Sequence, residues 1–481
     1  MPINFDKYDL NSLYYDEFFN TDGTPRPHCQ LLFDELQNSS VEKLEGIQER
    51  VTRTFSTQSI SFTLYGEDEQ TERIIPIDCI PRILPADEWE RLEAGLIQRV
   101  TALNRFVVDV YSKAQILTDG VIPHDLVLGC AQYRIEMRGV PIPLSTPIGI
   151  CGTDLVRINE GFRVLEDNLR VPSGVSYMIA NRQATKTNFR NLYRQYSVRE
   201  VENYGEVLYE TLREFAPHNQ SDPCIALLTP GVFNSAFYEH MFLADEVGAE
   251  LVEGRDLIVN DGYVYMRTTS GLRKVDVIYR RIDDDFLDPL FYREDSVLGV
   301  PGLMHVYRKG NVALVNAPGT GVADDKAIYA YVPKIIQYYL AEEPILQNVE
   351  THLCRDPESL QYVLDNLEHL VVKPVGGSGG YGLFIGSRVN SKERDAFRVT
   401  LQENAAQYIA QPELQLSKSP CWIDRRFQSR CVDLRPFILS GMNCRLVGGA
   451  FCRIALPEGS LVVNSSQGGG AKDLWVADAA C

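Results

Sequence analysis

The stretch Val371-Val372-Lys373-Pro374-Val375-Gly376-Gly377-Ser378-Gly379-Gly380-Tyr381-Gly382 places five glycines directly after a lysine and a proline. The residues that follow, Leu383-Phe384-Ile385, favour a strand, so the glycines are predicted to form the loop of a β-hairpin. Backbone N–H groups in such a loop can approach phosphate oxygens closely, because no side chains stand in the way. Lys373 is then a fixed cation beside the same phosphates. A plain tight turn is the alternative interpretation.

Other motifs that share these letters fail on the residues around them. The pattern G-x-G-x-x-G fits residues 377–382, but a dinucleotide-binding site requires a helix after the glycines. The pattern G-x-S-x-G fits residues 376–380, but a nucleophile elbow requires a helix and a downstream histidine, and all seven histidines precede residue 370. The H-R-D and D-F-G segments of a protein kinase are absent. A loop that covers phosphates therefore remains the favoured interpretation.

A second hairpin is predicted nearer the amino terminus. Two strand-like runs, 152–158 and 162–168, flank the turn Asn159-Glu160-Gly161, whose last residue is a glycine. With Ile158 taken opposite Phe162, the two strands bring side chains that are distant in sequence directly across from one another.

This register predicts a metal site on the hairpin. Asp154 lies opposite Glu166, and Asn168 points to the same face as Glu166. Two facing carboxylates destabilise a sheet unless a positive charge lies between them, so we expect a hard divalent cation there, with nucleotide phosphates completing its shell. A register slip of one residue would separate the acids, and an exposed hairpin with solvated acids is the alternative.

Composition excludes several classes of partner. The 481 residues carry 47 Lys+Arg against 65 Asp+Glu, a net charge of −18, and we find no basic stripe for nucleic acid and no polybasic membrane anchor. No apolar run approaches a membrane span, and the first residues lack the features of a secretory signal. The 11 cysteines match no zinc or disulfide pattern. We therefore expect a reduced, cytoplasmic protein with more than one folded unit.

Three weaker polar clusters accompany the two hairpins. Asp324-Asp325-Lys326 begins a predicted helix and aims Lys326 at an anion, unless it is a simple acidic first turn. Asp433-Leu434-Arg435 and Arg453 alternate with apolar residues on strands, so their polar side chains are predicted to share a face. Arg280-Arg281-Ile282-Asp283 follows a buried strand of a predicted βαβ unit, where ligands often bind, although a surface charge run is the default interpretation.

The order of these motifs resembles that of ATP-grasp enzymes, with one rearrangement. Asp325-Lys326, Val372-Lys373-Pro374, Gln411, Asp433–Arg435 and Asn464–Gly470 follow the usual order of the superfamily. The closing metal motif, Asp154…Glu166-Asp167-Asn168, stands near the amino terminus instead. Nearly the whole chain thus resembles the circularly permuted ATP-grasp type 2 family, which is related in fold to glutathionylspermidine synthetases.

The resemblance implies an α/β (α+β) protein with a circularly permuted ATP-grasp fold. A long helix is predicted before the hairpin of residues 152–168. Its apolar residues follow helical spacing after Pro85, and they are Trp89, Leu92, Leu96, Val100, Leu103 and Val107. The expected units are a mainly helical region over 1–135, the permuted metal-binding half over 136–215, a βαβ pre-ATP-grasp-like domain over 222–320, and the ATP-binding part over 321–481.

The resemblance also implies an activity and a role for individual residues. The implied reaction is an ATP- and Mg²⁺-dependent carboxylate–amine ligation through an acyl phosphate. The implied Mg²⁺ ligands are Asp154, Glu166 and Asn168. The implied nucleotide-binding residues are Lys326, Lys373, Gly376, Gly377, Ser378, Gly379, Gly380, Gly382, Gln411 at the adenine hinge, and Asn464. The implied catalytic residues are Arg435, Arg453 and Arg170 at the transferring phosphoryl group, and Lys472 near the acceptor.

Substrates and alternatives stay open at this level. Small-molecule or peptide carboxylates and amines are the expected partners, with no nucleic acid and no membrane, and Arg280, Arg281 and Asp283 are candidate substrate contacts. A phosphotransferase that releases its phosphorylated product and a nucleotide-binding scaffold without turnover are the two alternative functions.

Overall fold

The central sheet of this protein takes its strands from both ends of the chain. The computed structural model describes residues 5, 8–10, 13–57, 60–65, 70–376, 382–460, 463 and 468–478. The strands of these residues are β1 (Ser61–Tyr65), β2 (Gln70–Ile74), β3 (Ile77–Pro85), β4 (Ile150–Ile158), β5 (Gly161–Asn168), β6 (Ile225–Leu228), β7 (Glu250–Val252), β8 (Leu257–Asn260), β9 (Tyr263–Thr268), β10 (Gly271–Val275), β11 (Val277–Arg280), β12 (Ala313–Val315), β13 (Gln347–Asn348), β14 (His352–Leu353), β15 (Leu370–Pro374), β16 (Phe384–Ile385), β17 (Tyr408–Pro412), β18 (Lys418–Ile423), β19 (Arg426–Arg435), β20 (Phe437–Ser440), β21 (Cys444–Leu446), β22 (Phe451–Ile454) and β23 (Gly470–Ala477).

Helices cover this sheet and the smaller sheets beside it. They are α1 (Gln30–Gln37), α2 (Val41–Thr57), α3 (Ala86–Val110), α4 (Gln115–Thr118), α5 (His124–Leu128), α6 (Val175–Asn188), α7 (Arg190–Gln195), α8 (Tyr204–Glu214), α9 (Phe237–Val247), α10 (Asp284–Leu287), α11 (Leu303–Arg308), α12 (Gly321–Asp324), α13 (Lys326–Tyr329), α14 (Val332–Leu340), α15 (Pro357–Asn366) and α16 (Ser391–Glu403). No helix of the described residues is long and apolar enough to cross a membrane.

The strand order of the central sheet is β13-β5-β4-β19-β22-β23-β3, with β18 beside β19 and the β20–β21 pair beside β4. Strands β4 and β5 from the amino-terminal third therefore lie next to β19 and β22 from the last fifty or so residues, and β3 pairs in parallel with β23. The sequence pattern missed β3, because its residues are buried on both faces and show no alternation. The region expected to be mainly helical thus contributes an outer strand to the sheet.

Helix α3 behaves as the apolar spacing predicts. Its six predicted apolar side chains, from Trp89 to Val107, are all buried, and the helix begins directly after Pro85. They share one hydrophobic core with Leu155 of β4, Leu434 of β19 and Cys452 of β22. One face of the central sheet is therefore closed by this core, and the polar side chains that alternate with those residues face the other way.

The predicted βαβ unit is present as a four-stranded parallel sheet. Its order is β12-β11-β6-β7, with α9 connecting β6 to β7. A three-stranded antiparallel sheet of β8, β9 and β10 is inserted before β11 and was not predicted.

The glycine-rich stretch joins two antiparallel strands, as its sequence predicts. Strand β15 carries Lys373 and pairs with β16 on one side and β17 on the other. Helices α15 and α16 contribute to a small core with these strands, which includes Val363, Leu401 and Val372. Residues 377–381 lie outside the described residues.

Candidate active site

The hairpin of β4 and β5 brings Asp154 opposite Glu166, as predicted, but by a different route. Ile158 pairs with Gly161, so the strands are offset by one residue from the predicted register at the turn. A bulge at Leu165 then restores the predicted pairing of the two acids. Gly161 has a φ of +110°, a conformation that suits glycine where the turn re-enters the ladder.

The back of this hairpin is fixed by a buried ion pair. Asp167 accepts from Arg99 Nε of α3 at 2.8 and 2.9 Å and from Thr153 Oγ1 at 2.9 Å. Arg99 Nη1 also donates to Asn348 Oδ1 of β13 at 2.7 Å. Since successive strand residues point to opposite faces, this anchoring of Asp167 directs Glu166 away from α3.

Asp154 faces two guanidinium groups. Arg435 binds it with two bonds, Nε to Oδ1 at 2.5 Å and Nη2 to Oδ2 at 2.8 Å, and Arg453 Nη2 donates to Oδ2 at 2.7 Å. Burial alone would raise the pKa of Asp154, but Arg435 and Arg453 lower it well below its usual range. Asp154 is therefore a permanently ionised carboxylate at the centre of the cluster.

Asp433 belongs to the same cluster, although it was not among the predicted site residues. It lies opposite Arg453 on neighbouring strands, and Arg453 Nε donates to both of its oxygens at 3.0 Å. Burial raises its pKa despite this pairing. The alternation Asp433-Leu434-Arg435 predicted that Asp433 shares a face with Arg435, because residues two apart on a strand point to the same side.

Two lysines lie near the Glu166 side of the acid pair. Lys326 Nζ, at the start of α13, lies 3.9 Å from Glu166 Oε2. Lys373 Nζ donates to Gln411 Oε1 at 2.6 Å, and Gln411 Nε2 donates in turn to Thr351 Oγ1 at 2.9 Å. The Gln411 side chain therefore contacts Lys373 and Thr351. The expected position of Gln411 at an adenine hinge stays a prediction.

The pKa of Lys373 is lowered to about 8 by burial, with Lys326 adding to the effect and Glu166 and Asp154 opposing it. The ammonium form is thus complete below about pH 8 and lost above it. Because phosphates bind the ammonium form, we predict a nucleotide affinity that is flat below about pH 8 and falls by up to about tenfold per pH unit above it.

The measurement is a titration with a fluorescent ATP analogue at saturating Mg²⁺, between about pH 6.5 and 9.5. The variant K373R keeps its charge over this range, so its affinity should lose the slope. A wild-type affinity that does not change through pH 8–9 would contradict the assignment of Lys373 as a phosphate ligand.

The donor set on the hairpin fits Mg²⁺. The side chain of Glu166 is 31% exposed, and burial together with the charge of Asp154 raises its pKa although Lys326 and Lys373 oppose the shift. Asn168 donates from Nδ2 to the backbone oxygen of Gly152 at 3.1 Å, which leaves Oδ1 as its remaining polar atom. The described residues contain no group of three or more His, Cys, Asp or Glu that could hold a metal. Two carboxylates and an amide oxygen suit a Mg²⁺ ion that takes its other ligands from phosphates and water.

Lys472 does not join this cluster. It lies opposite Cys452, which lies opposite Leu434, so it shares the apolar face of the sheet and not the face of Arg453. Its Nζ is fully buried against Pro420 O at 2.7 Å, Ser419 Oγ at 3.0 Å and Asp78 Oδ2 at 3.1 Å. The expected place of Lys472 near the acceptor is therefore wrong, because residues distant in sequence bind its ammonium group inside the core.

We predict that K472M destabilises the fold instead of impairing a chemical step. The substitution leaves Asp78 buried without its cation, which costs about 3–5 kcal/mol in the free energy of unfolding. Urea unfolding of K472M and of K309M, an exposed lysine, measures the difference. A K472M protein as stable as the wild type would contradict a structural role for Lys472.

The two arginines at the end of β11, Arg280 and Arg281, are also structural. Arg280 donates to the backbone oxygens of Asn316, Ile282 and Ala317 and pairs with Asp284, with no exposed surface. Arg281 is buried against Glu239 and the backbone oxygen of Pro172. The candidate role of Arg280 as a substrate contact is therefore wrong. Arg281 links Glu239 to the backbone at Pro172.

Arg170 and Asp283 are partly exposed. Arg170 Nε lies 3.4 Å from Asp324 Oδ2, and its Nη1 lies 3.7 Å from Asp283 Oδ1. Asp283 is half exposed. Asp324 directly precedes Asp325, which caps α13 in front of Lys326, so these contacts lie beside the start of α13.

The glycine loop is described only at its two ends. Gly376 directly follows β15 and Val375, and Gly382 has a φ of +75° beside Pro374. Gly377, Ser378, Gly379, Gly380 and Asn464 lie outside the described residues, so their predicted contacts with phosphates stay predictions.

Comparison with known proteins agrees with this architecture. Residues 81–455 match the model of a family described as circularly permuted ATP-grasp type 2. The "Uncharacterized protein sll0335" of Synechocystis sp. is 50% identical over 98% of this chain and 99% of its own length. The "Uncharacterized protein Rv2411c" of Mycobacterium tuberculosis is 47% identical over 97% of this chain and 85% of its own.

Two further matches carry descriptive names. A Frankia casuarinae protein named "Putative glutamate--cysteine ligase 2-2" is 39% identical over 96% of this chain, which spans 53% of that protein. Among solved structures, a glutathione synthetase-like effector from Globodera pallida aligns with a TM-score of 0.59 at 11% identity, over 92% of this chain and 98% of its own, which is a likeness in fold. With its interleaved central sheet, its carboxylate hairpin and a family model that spans most of its length, this chain belongs to the circularly permuted ATP-grasp type 2 family.

Proposed function

We propose that this protein is an ATP- and Mg²⁺-dependent ligase that joins a carboxylate to an amine through an acyl phosphate. The observation that carries the proposal is the pair Asp154 and Glu166, set on facing strands and ringed by cations. Those cations are Lys326, Lys373, Arg435 and Arg453. Such an arrangement suits a metal-bound polyphosphate, which supplies the negative charge that four cations require.

The first step needs positioning and charge, and no side-chain nucleophile. A substrate carboxylate oxygen attacks the γ-phosphorus of ATP, the bond to the β–γ bridging oxygen breaks, and ADP leaves with that electron pair. Lys373 and Lys326 would bind phosphate oxygens, and Arg435 with Arg453 would stabilise the charge on the transferring group. Mg²⁺, held by Asp154, Glu166 and Asn168, would neutralise charge on the phosphates.

The second step forms the product bond. The amine nitrogen attacks the acyl carbon, phosphate leaves with the electrons of the C–O bond, and the nitrogen loses a proton to give a neutral amide. Exclusion of water protects the acyl phosphate from hydrolysis in the interval between the two steps.

The test is ADP release with a panel of acids and amines, followed by mass spectrometry of the products. Glutamate and cysteine belong in the first panel, because they are the substrates in the name of the Frankia relative. A condensed product whose mass is acid plus amine minus water supports the ligase. A stable phosphorylated compound without condensation would overturn it in favour of a phosphotransferase.

Two variants separate turnover from background. E166A and K373A should both lose the substrate-dependent ADP release. If the wild type and both variants release ADP at one common background rate with every pair, the catalytic proposal fails and a nucleotide-binding scaffold is favoured.

A further inference from the structure

Both carboxylate oxygens of Asp154 are already occupied by guanidinium groups. Arg435 takes Oδ1 at 2.5 Å and Oδ2 at 2.8 Å, while Arg453 shares Oδ2 at 2.7 Å. A divalent ion that coordinates Asp154 would stand beside these guanidinium charges and be repelled by them. The metal and the arginines therefore compete for one carboxylate.

The two arginines differ in how firmly they are held. Arg453 is 4% exposed, and Asp433 binds it through both carboxylate oxygens in addition to Asp154. The side chain of Arg435 is 13% exposed, and beyond Asp154 its contact is a bond of 3.2 Å from Nη1 to the backbone oxygen of Ser173. Arg435 therefore loses fewer other contacts than Arg453 if its guanidinium leaves Asp154 for another partner.

The charge around the hairpin also opposes a metal that arrives alone. Four cations stand around three carboxylates, and these groups are Lys326, Lys373, Arg435, Arg453, Asp154, Glu166 and Asp433. A bare divalent ion would add to an excess of positive charge, whereas a polyphosphate reverses it. Phosphate oxygens also offer the guanidinium a new bidentate partner.

We propose that Arg435 is an exchangeable counter-ion that holds the metal position on Asp154 until a nucleotide draws its guanidinium away. Metal binding is thereby coupled to nucleotide binding, and the nucleotide-free protein is a poor metal binder. This inference rests on the proposed function, since the phosphates of ATP are the competing partner of the guanidinium. Arg435 acts here as a positioning residue, through Asp154.

The test measures binding of Mn²⁺ alone to the nucleotide-free protein, from the electron paramagnetic resonance signal of the free ion. We expect weak binding by the wild type, a Kd lower by about tenfold or more in R435Q, and an intermediate Kd in R435K, which keeps the charge but not the two-bond geometry. The matched control is R445Q, which removes the same charge from a residue that pairs with Glu214, and its Kd should equal that of the wild type.

Two results would overturn the inference. One is tight Mn²⁺ binding by the wild type without nucleotide. The other is a Kd for Mn²⁺ that is unchanged or higher in both Arg435 variants. Near-ultraviolet circular dichroism identifies a misfolded R435Q, in which case R435K decides. Binding of an ATP analogue by the wild type in Mg²⁺ is measured separately. A wild type that binds no nucleotide refutes the proposed function. A wild type that binds nucleotide, together with an R435Q whose Kd for Mn²⁺ is unchanged, refutes only this inference.

Discussion

Replacing Glu166 by glutamine is expected to lower the rate of substrate-dependent ADP release by about 10³-fold, because one of the two carboxylates proposed to hold the metal is lost. Glutamine keeps the shape and one oxygen, so the loss reports charge and not packing. The measurement is ADP release as a function of Mg²⁺ concentration. The variant should also require more Mg²⁺ for half-maximal rate.

Stability provides an internal check on this variant. Burial and the charge of Asp154 raise the pKa of Glu166 in the metal-free protein, so removal of the Glu166 charge relieves both costs and should leave Tm unchanged or higher. The matched control is E160Q, an exposed turn residue of the same hairpin, which should retain full activity. Full activity in E166Q at low Mg²⁺ would contradict the assignment of the metal site.

Replacing Lys373 by methionine is expected to weaken binding of an ATP analogue by about 10²-fold, because the ammonium proposed to bind phosphate is replaced by an apolar chain of similar length. The side chain of Gln411, which accepts from Lys373 at 2.6 Å, loses that donor but keeps its bond to Thr351. Fluorescence titration at pH 7 measures the affinity. At this pH, below the pKa of about 8, the wild-type lysine is charged.

The control for K373M is K309M, which removes an exposed lysine outside the charged cluster around Asp154 and Glu166. It should bind the analogue like the wild type. An equal affinity in K373M and K309M would exclude Lys373 from the nucleotide site. A loss in both variants would point to the general charge of the protein and not to a specific contact.

The parts of the site that the sequence predicts are those set by local periodicity. Alternation along β4 and β5 placed Asp154 and Glu166 face to face, and alternation along β19 placed Asp433 and Arg435 on one face. The turn of the β4–β5 hairpin was predicted one residue away from its true register. The bulge at Leu165 compensated for that error, and a bulge inside a strand has no periodic signal by which to foresee it.

The parts that the sequence does not predict depend on partners distant in the chain. The charge of Lys472 is visible in the sequence, but its burial against Asp78 is decided by the parallel pairing of β23 with β3. Arg280 likewise ends on backbone oxygens more than thirty residues away. A buried cation satisfied by the core and a cation aimed at a ligand have the same sequence pattern, so tertiary structure must separate them.

Isotope transfer tests whether ATP activates a carboxylate as an acyl phosphate at this site. The acid that stimulates ADP release is supplied with ¹⁸O in its carboxylate, and the inorganic phosphate formed with the amine is analysed by mass spectrometry. We expect one ¹⁸O atom in each phosphate, because the carboxylate oxygen that attacks phosphorus leaves with it when the amine attacks carbon. Phosphate without ¹⁸O, formed at the same rate as the product, would contradict an acyl-phosphate intermediate.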